Sequence, residues 1–339
     1  MPRSRSLIEK LQAGGIRRAG SPRNGFRYRT ANGALVSAAE RERIKGLRIP
    51  PAWQQVAIAV SSDAPVQAIG LDAAGRWQYL YLRAHSARRA RSKFIRLSAF
   101  GRALPALRKC LRRDLALEGL PRERVTAAAI LMLSATALRP GNDEYARKNG
   151  TFGLATLRPR HVTLRGNLLK LSFRGKHGIQ QECELHSRRL AHIVRLMLRW
   201  PGRELFKFLD EAGGVVDLRS QHLNDYVKQA MGARFTASGF RTWIATLVCA
   251  AALKGEGVVP VRERRSAVVR AMRATGLVLG NTPSVARGSY VHPALITAYL
   301  EGRVVSEGLA DPYTLADRIP RGLHRAERAL LRLLERERG

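Results

Sequence analysis

VTAAAILMLSATALRPGN, residues 125–142, holds an apolar run from Val125 to Leu138 and then stops abruptly at Arg139-Pro140-Gly141-Asn142. Alanine and leucine are strong helix formers, and helical texture this apolar needs a core around it. The residue before a proline is pushed out of the helical region. The stretch therefore predicts a core helix whose exit leaves Arg139 at the rim. Two readings of that arginine stay open: a cation set against the negative end of its own helix, or a cation held for a ligand.

Outward from this helix the pattern stays helical. Leu104, Leu107 and Leu111 precede it at helical spacing, and Ser187 is placed as an N-cap before Leu190, Ile193, Val194, Met197 and Leu198, with Pro201 beyond the end. Further helices are expected at about 220–231, 238–254, 262–276 and 314–337. A three-stranded insert at about 161–185 interrupts them: Val162 and Leu164, a turn at Arg165-Gly166-Asn167, then Leu169, Leu171 and Phe173, then a third strand after the RGKHG loop. Residues 1–88 read differently. Short alternating stretches at Phe26–Thr30, Val56–Val60 and Trp77–Leu82 are separated by Asn-Gly, Pro and Ala-Ala-Gly turns. The expected class is α+β: a small, mostly antiparallel β N-terminal domain (1–88) and a larger, mainly α domain (89–339) with the β insert.

Composition narrows the partner. Sixty Lys and Arg against 26 Asp and Glu give a net charge of +34, spread along the whole chain. A GC-rich genome explains some of the arginine but not the scarcity of acids, so a large anionic partner, nucleic acid first, is expected. Cys110, Cys183 and Cys249 are far apart and show no zinc or disulfide spacing. No apolar N-terminal segment and no apolar run of about 18 residues occurs. These features predict a protein of a reducing, cytoplasmic compartment with no membrane partner.

Phosphate-loop, HExxH and dinucleotide fingerprints are all absent. What remains is a scatter of polar residues in unusual settings. Lys176 tips the loop Arg174-Gly175-Lys176-His177-Gly178, as an ordinary charged hairpin end or as a mobile cation beside a backbone. Arg241 falls in the first turn of the apolar helix expected at 238–254. The helix dipole disfavours a cation there unless an anion joins it. Asn281-Thr282-Pro283 reads as a turn into a helix, with Thr282 as N-cap and Pro283 at N1. Tyr290, in LGNTPSVARGSYVHP (279–293), reads by itself as a core aromatic.

Taken together, LRPGNDEYARKNGTFGLATLRPRHV, FRGKHG, FTASGFRTWIAT and LGNTPSVARGSYVHP, in this order and spacing, resemble the type IB DNA topoisomerases, closest to their short bacterial and poxvirus-like branch. RERIKGLRIPPAWQQVAIA and GRWQYLYLRAH upstream resemble that branch's small N-terminal domain, so the likeness covers about residues 20–305. The resemblance implies a tyrosine recombinase/type IB catalytic fold with Tyr290 as nucleophile, Arg139, Arg241 and Asn281 on the phosphate, and Lys176 as general acid. It also implies that Gln78, Tyr79, Tyr81 and Tyr145 face double-stranded DNA, although alternating strand aromatics also serve as one face of a core. Two positions depart from the pattern. Asn281 stands where eukaryotic and poxvirus members have His, and Pro140 replaces a usual β-branched residue.

The chemistry expected of such a set explains its parts. A free tyrosine, with a pKa of about 10, is a poor nucleophile at neutral pH. Two arginines would lower that value and neutralise the charge gathering on the non-bridging oxygens. The 5′ alkoxide leaving group needs a proton, which the lysine would supply. One phosphodiester replaces another, so neither ATP nor another cofactor nor a metal is expected. A monomer clamping duplex DNA between its domains, near the nucleoid, completes the expectation. A tyrosine recombinase is the nearest rival, but members usually carry His where this chain has Gly239. A non-enzymatic basic DNA-binding protein would leave the five residues unexplained.

Overall fold

The computed structural model describes residues 6–73, 75–82, 93–308 and 318–337, with the side chains of Tyr145 and His177 left out. The chain divides into two compact units, Met1–Lys93 and Phe94–Gly339.

The first unit is built on a five-stranded antiparallel sheet in the order β2-β1-β3-β4-β5, from strands Ile16–Ser21 (β1), Gly25–Arg29 (β2), Gln54–Ile58 (β3), Val66–Leu71 (β4) and Trp77–Tyr81 (β5). Ile16, Val56, Ile58 and Ala68 form its small core, with Ile44 packed among them. Two helices that the strand reading of this region did not include flank the sheet, Leu7–Gly14 (α1) and Ala38–Gly46 (α2). Each begins at a serine that accepts a hydrogen bond from the third helical amide, Ser6 from Glu9 and Ser37 from Glu40. Polar composition hid α2: Ile44 is its one buried residue.

The second unit has α3 (Leu97–Asp114), α4 (Arg122–Thr136) and α5 (Asp143–Asn149), then strands β6 (Val162–Arg165), β7 (Leu168–Arg174) and β8 (Gln180–His186). Next come α6 (Arg188–Leu198), a hairpin β9 (Lys207–Leu209) and β10 (Val215–Asp217), and α7 (Ser220–Met231). Helices α8 (Gly239–Glu256), α9 (Val261–Leu279), α10 (Pro283–Ser289), α11 (Pro293–Leu300) and α12 (Arg325–Arg336) follow. Helices α4 and α8 are buried along nearly their whole length. This answers the all-round apolar character of both sequences. Around them the three-stranded sheet β6-β7-β8 buries one face, Leu169, Leu171, Phe173, Cys183 and Leu185, in the same core.

One element is added to the expected set and one is corrected. The β9–β10 hairpin had no counterpart in the sequence reading, since three-residue strands leave no periodicity to detect. The last helix, expected at 314–337, begins only at Arg325 among the described residues, where the His324 ring accepts the Ala326 amide. Pro320 and Gly322 lie in the irregular stretch before it. The apolar face of α12 covers the core through Ala326, Leu330 and Leu334.

Candidate active site

Arg139 lies just past α4. The helix ends at Ala137, a left-handed C-cap with φ 53°, an uncommon conformation for a residue with a Cβ. Its neighbour's course is then fixed by main-chain bonds: Leu154 N–H donates to Arg139 O (2.8 Å) and Ala155 N–H to Pro140 O (2.8 Å). Arg139 Nη2 donates to Asn281 Oδ1 at 3.1 Å. The guanidinium thus turns toward the loop holding Asn281.

Arg241 sits in the first turn of α8, as expected, but its balance of charge is different from the one anticipated. Its guanidinium reaches the C-terminal ends of two other helices, donating through Nη1 to Ala137 O and through Nη2 to Leu279 O, each at 2.5 Å. The negative ends of α4 and α9 therefore face this cation. Arg241 is 4% exposed. Burial and the neighbouring Arg139 lower its pKa to about 10, while the charge and hydrogen bond of Tyr290 pull it back up. It stays protonated at neutral pH. Its Cζ lies 4.9 Å from the centre of the Tyr290 ring.

Asn281 owes its position to the way α9 ends. Gly280 takes the left-handed conformation (φ 57°, ψ 48°), its N–H bonds Leu277 O at 3.1 Å, and the Asn281 N–H reaches back to Gly276 O at 2.9 Å. This pair of bonds closes a helix with a glycine just past its last turn. Thr282 then caps α10 by accepting the Val285 amide, with Pro283 in the first turn. Tyr290 closes α10, its N–H bonded to Ala286 O at 3.0 Å. Helix-stop, helix-start and nucleophile candidate thus follow within ten residues.

Four of the five sequence candidates, Arg139, Arg241, Asn281 and Tyr290, are joined by these contacts. Two of the seven buried side-chain polar atoms without a partner among the described residues belong here: Arg241 Nε and Asn281 Nδ2. Buried N–H groups without acceptors are costly. An unpaired N–H on the Arg241 guanidinium and another on the Asn281 amide, together with the Arg139 guanidinium, suit an anion with several oxygens.

Lys176 is exposed, in a single helical turn (Lys176–Gly178) at the tip of β7–β8, and among the described residues no bond links it to the other four. Its loop is nonetheless tied beside them. Phe152 N–H donates to Arg174 O at 2.8 Å, two residues after Phe152 the Leu154 amide holds Arg139 O, and Gln181 fills the space between Gly175 and Gly280. A Cβ on Gly175 would fall 2.7 Å from Gln181 Cγ, and one on Gly280 would fall 2.2 Å from its Nε2. Sequence reading passed over Gln181, because one amide in a strand rich in Gln and Glu carries no signal.

The DNA-facing expectations fare unevenly. Tyr79 and Tyr81 are 38% and 40% exposed, stacked with ring centres 6.4 Å apart on one face of the edge strand β5. Gln78 alternates to the other face, with Leu80, and its Nε2 donates to Asp72 Oδ2 at 2.8 Å. Tyr145 lies on α5, its side chain outside the described residues. No described helix is long and apolar enough to cross a membrane.

Comparison with known proteins bears on the family of the chain. A family profile described as eukaryotic DNA topoisomerase I, catalytic core, matches residues 83–301. Another, described as bacterial DNA topoisomerase IB, N-terminal domain, matches residues 25–72. DNA topoisomerase 1B of Acanthamoeba polyphaga mimivirus is 32% identical over 294 residues, 84% of this chain and 88% of the relative. DNA topoisomerase 1 of Rabbit fibroma virus is 23% identical over 235 residues, 66% and 68% of the two chains. Among solved structures, the XerH site-specific recombinase in a post-cleavage complex with palindromic difH substrate aligns over 56% of this chain and 47% of its own, at 16% identity and a TM-score of 0.36.

Proposed function

The chain belongs to the type IB DNA topoisomerases, and on that premise we propose that it relaxes supercoiled duplex DNA through a transient bond between Tyr290 and a 3′ phosphate. The observation carrying the reading is the pair of contacts Arg241–Tyr290 and Arg139–Asn281, with one buried donor on Arg241 and one on Asn281 unsatisfied among the described residues. Tyr290 Oη attacks phosphorus and loses its proton, the P–O bond to the 5′ oxygen breaks, and that oxygen leaves protonated as a free hydroxyl. Arg139 and Arg241 neutralise the non-bridging oxygens, and the Asn281 amide adds an uncharged donor. Lys176 supplies the proton to the 5′ oxygen. Because a phosphodiester is exchanged for another, the 5′ hydroxyl can attack in reverse and reseal the strand with no ATP and no obligatory metal. Rotation about the intact strand in between removes supercoils of either sign. Tyr79 and Tyr81 contribute to the grip on the duplex, as does the excess of basic side chains, and a single chain is sufficient.

Gly239 favours this reading over a site-specific recombinase. A Cβ there would lie 2.6 Å from the Phe100 ring, so the histidine usual in recombinases does not fit the packing. The test is plasmid relaxation in EDTA without ATP, on substrates lacking any paired recombination site. Wild type is expected to relax positively and negatively supercoiled plasmid, and Tyr290→Phe to leave both untouched and trap no covalent DNA. Relaxation by Tyr290→Phe would overturn the assignment. For Lys176→Ala, cleavage of an ordinary strand should slow far more than cleavage of a strand with sulfur at the 5′ leaving position; equal slowing would remove Lys176 from proton transfer.

A further inference from the structure

The segment around Tyr290 is held by a side chain that none of the site's chemistry requires. Thr246, in the second turn of α8 and fully buried, accepts the His292 amide at 3.2 Å and lies 3.3 Å from Tyr290 O on its donor side. Its hydroxyl also donates to Thr242 O at 2.8 Å. That last bond is what a buried helical threonine ordinarily makes, and Thr126 and Thr136 do likewise. It does not account for the bond from the His292 amide or for the approach to Tyr290 O, which lie on the peptide groups on both sides of Val291. Val291 is itself fully buried, and its amide shares Ala286 O with Tyr290. The Tyr290 N–H is therefore bonded to α10, and two residues on the His292 amide is bonded to α8, the helix that carries Arg241.

We propose that Thr246 is a positioning residue for the nucleophile: its hydroxyl sets the Tyr290 main chain against α8, so that the phenol is presented to Arg241 before DNA arrives. The proposal rests on Tyr290 being the nucleophile. Before cleavage the phenol is tethered by the protein alone, whereas in the covalent intermediate the DNA strand tethers it as well. Loss of the hydroxyl therefore slows cleavage more than religation, a signature that general loss of packing does not produce. Displacing a reacting group by about 1 Å can cost about 100-fold in rate.

The experiment compares Thr246→Val, which keeps the shape and removes the hydroxyl, with Thr246→Ser, which keeps the hydroxyl. Single-turnover cleavage, religation of preformed covalent complex, and DNA affinity are measured for each, alongside Tyr290→Phe. Thr246→Val is expected to cleave about 10- to 100-fold more slowly, to religate with a smaller loss, and to hold a lower covalent fraction at equilibrium with unchanged affinity. Thr246→Ser is expected to stay near the wild-type rate. Wild-type cleavage by Thr246→Val, equal losses in cleavage and religation, or a serine variant as slow as valine would each overturn the proposal. Should Thr246→Val fail to melt cooperatively, the serine variant decides alone: near-wild-type cleavage and covalent fraction support the role of the hydroxyl, and a 10-fold loss overturns it. Cleavage by Tyr290→Phe would instead overturn the nucleophile assignment, whatever Thr246 does.

Discussion

At the scale of single residues, Arg241 carries two duties that are usually separate. It satisfies the carbonyls ending α4 and α9, and its guanidinium lies against Tyr290. A lysine is one compact ammonium and does not reproduce the planar fork. Arg241→Lys is therefore expected to leave a buried carbonyl unpaired, lowering stability by about 1–3 kcal/mol, and to slow cleavage by at least about 100-fold. A thermal melt and single-turnover cleavage measure the two. An unchanged melt would show that the helix ends do not depend on this side chain. The sequence made Arg241 conspicuous but showed only half of its surroundings. A cation in a helix's first turn suggests a nearby anion, and the side chain also extends to the ends of neighbouring helices, which no local pattern reveals.

At the scale of elements, the turn from α4 into the β insert and the final helix α12 brace the site. His161, at the start of β6, is wedged between Phe152 (ring centres 4.4 Å apart) and Phe173 (6.1 Å), and its Nδ1 accepts the Arg158 amide at 3.0 Å. Burial, with the charges of Arg160 and Arg158, lowers its pKa from 6.5 to about 4. The unfolded chain thus binds the proton first, so this group costs stability as pH falls from about 6.5 toward about 4 and adds no pH dependence above that window. Thermal melts across the window should show a steeper fall for wild type than for His161→Gln; parallel curves would contradict the burial of a neutral ring. In α12, Glu327 forms a buried bidentate pair with Arg108 (2.7 and 2.8 Å) and accepts from Trp243 Nε1 at 3.1 Å. Glu327→Ala leaves that arginine uncompensated and is expected to cost about 3–5 kcal/mol, read as a lower denaturation midpoint. A midpoint unchanged from wild type would mean that α12 is dispensable. Long apolar helices such as α4 and α8 were legible, because periodicity and hydrophobicity agree over many residues. By contrast, α2 buries one residue and β9 spans three, so neither leaves a pattern, and the start of α12 depends on a histidine cap that propensity does not mark.

At the scale of the whole molecule, composition and motif carried different information. The charge of +34 identified an anionic partner but no chemistry. It was the order of four short strings that brought Arg139, Lys176, Arg241, Asn281 and Tyr290 into one set. The structure joins four of them through loops more than a hundred residues apart in sequence, and it leaves the lysine on an exposed turn beside them. Spacing alone did not supply Gln181 or Thr246, because both act by filling or bonding across elements distant in sequence. The central claim is that a phenol, and this phenol, takes the strand. The most direct measurement is to denature the enzyme during turnover on a short labelled duplex, digest the protein, and sequence the peptide that retains nucleotide by mass spectrometry. The account predicts one modified peptide, GSYVHP with its flanks, bearing a 3′-linked phosphate on Tyr290. A nucleotide on any other residue, or a 5′ linkage, would contradict it.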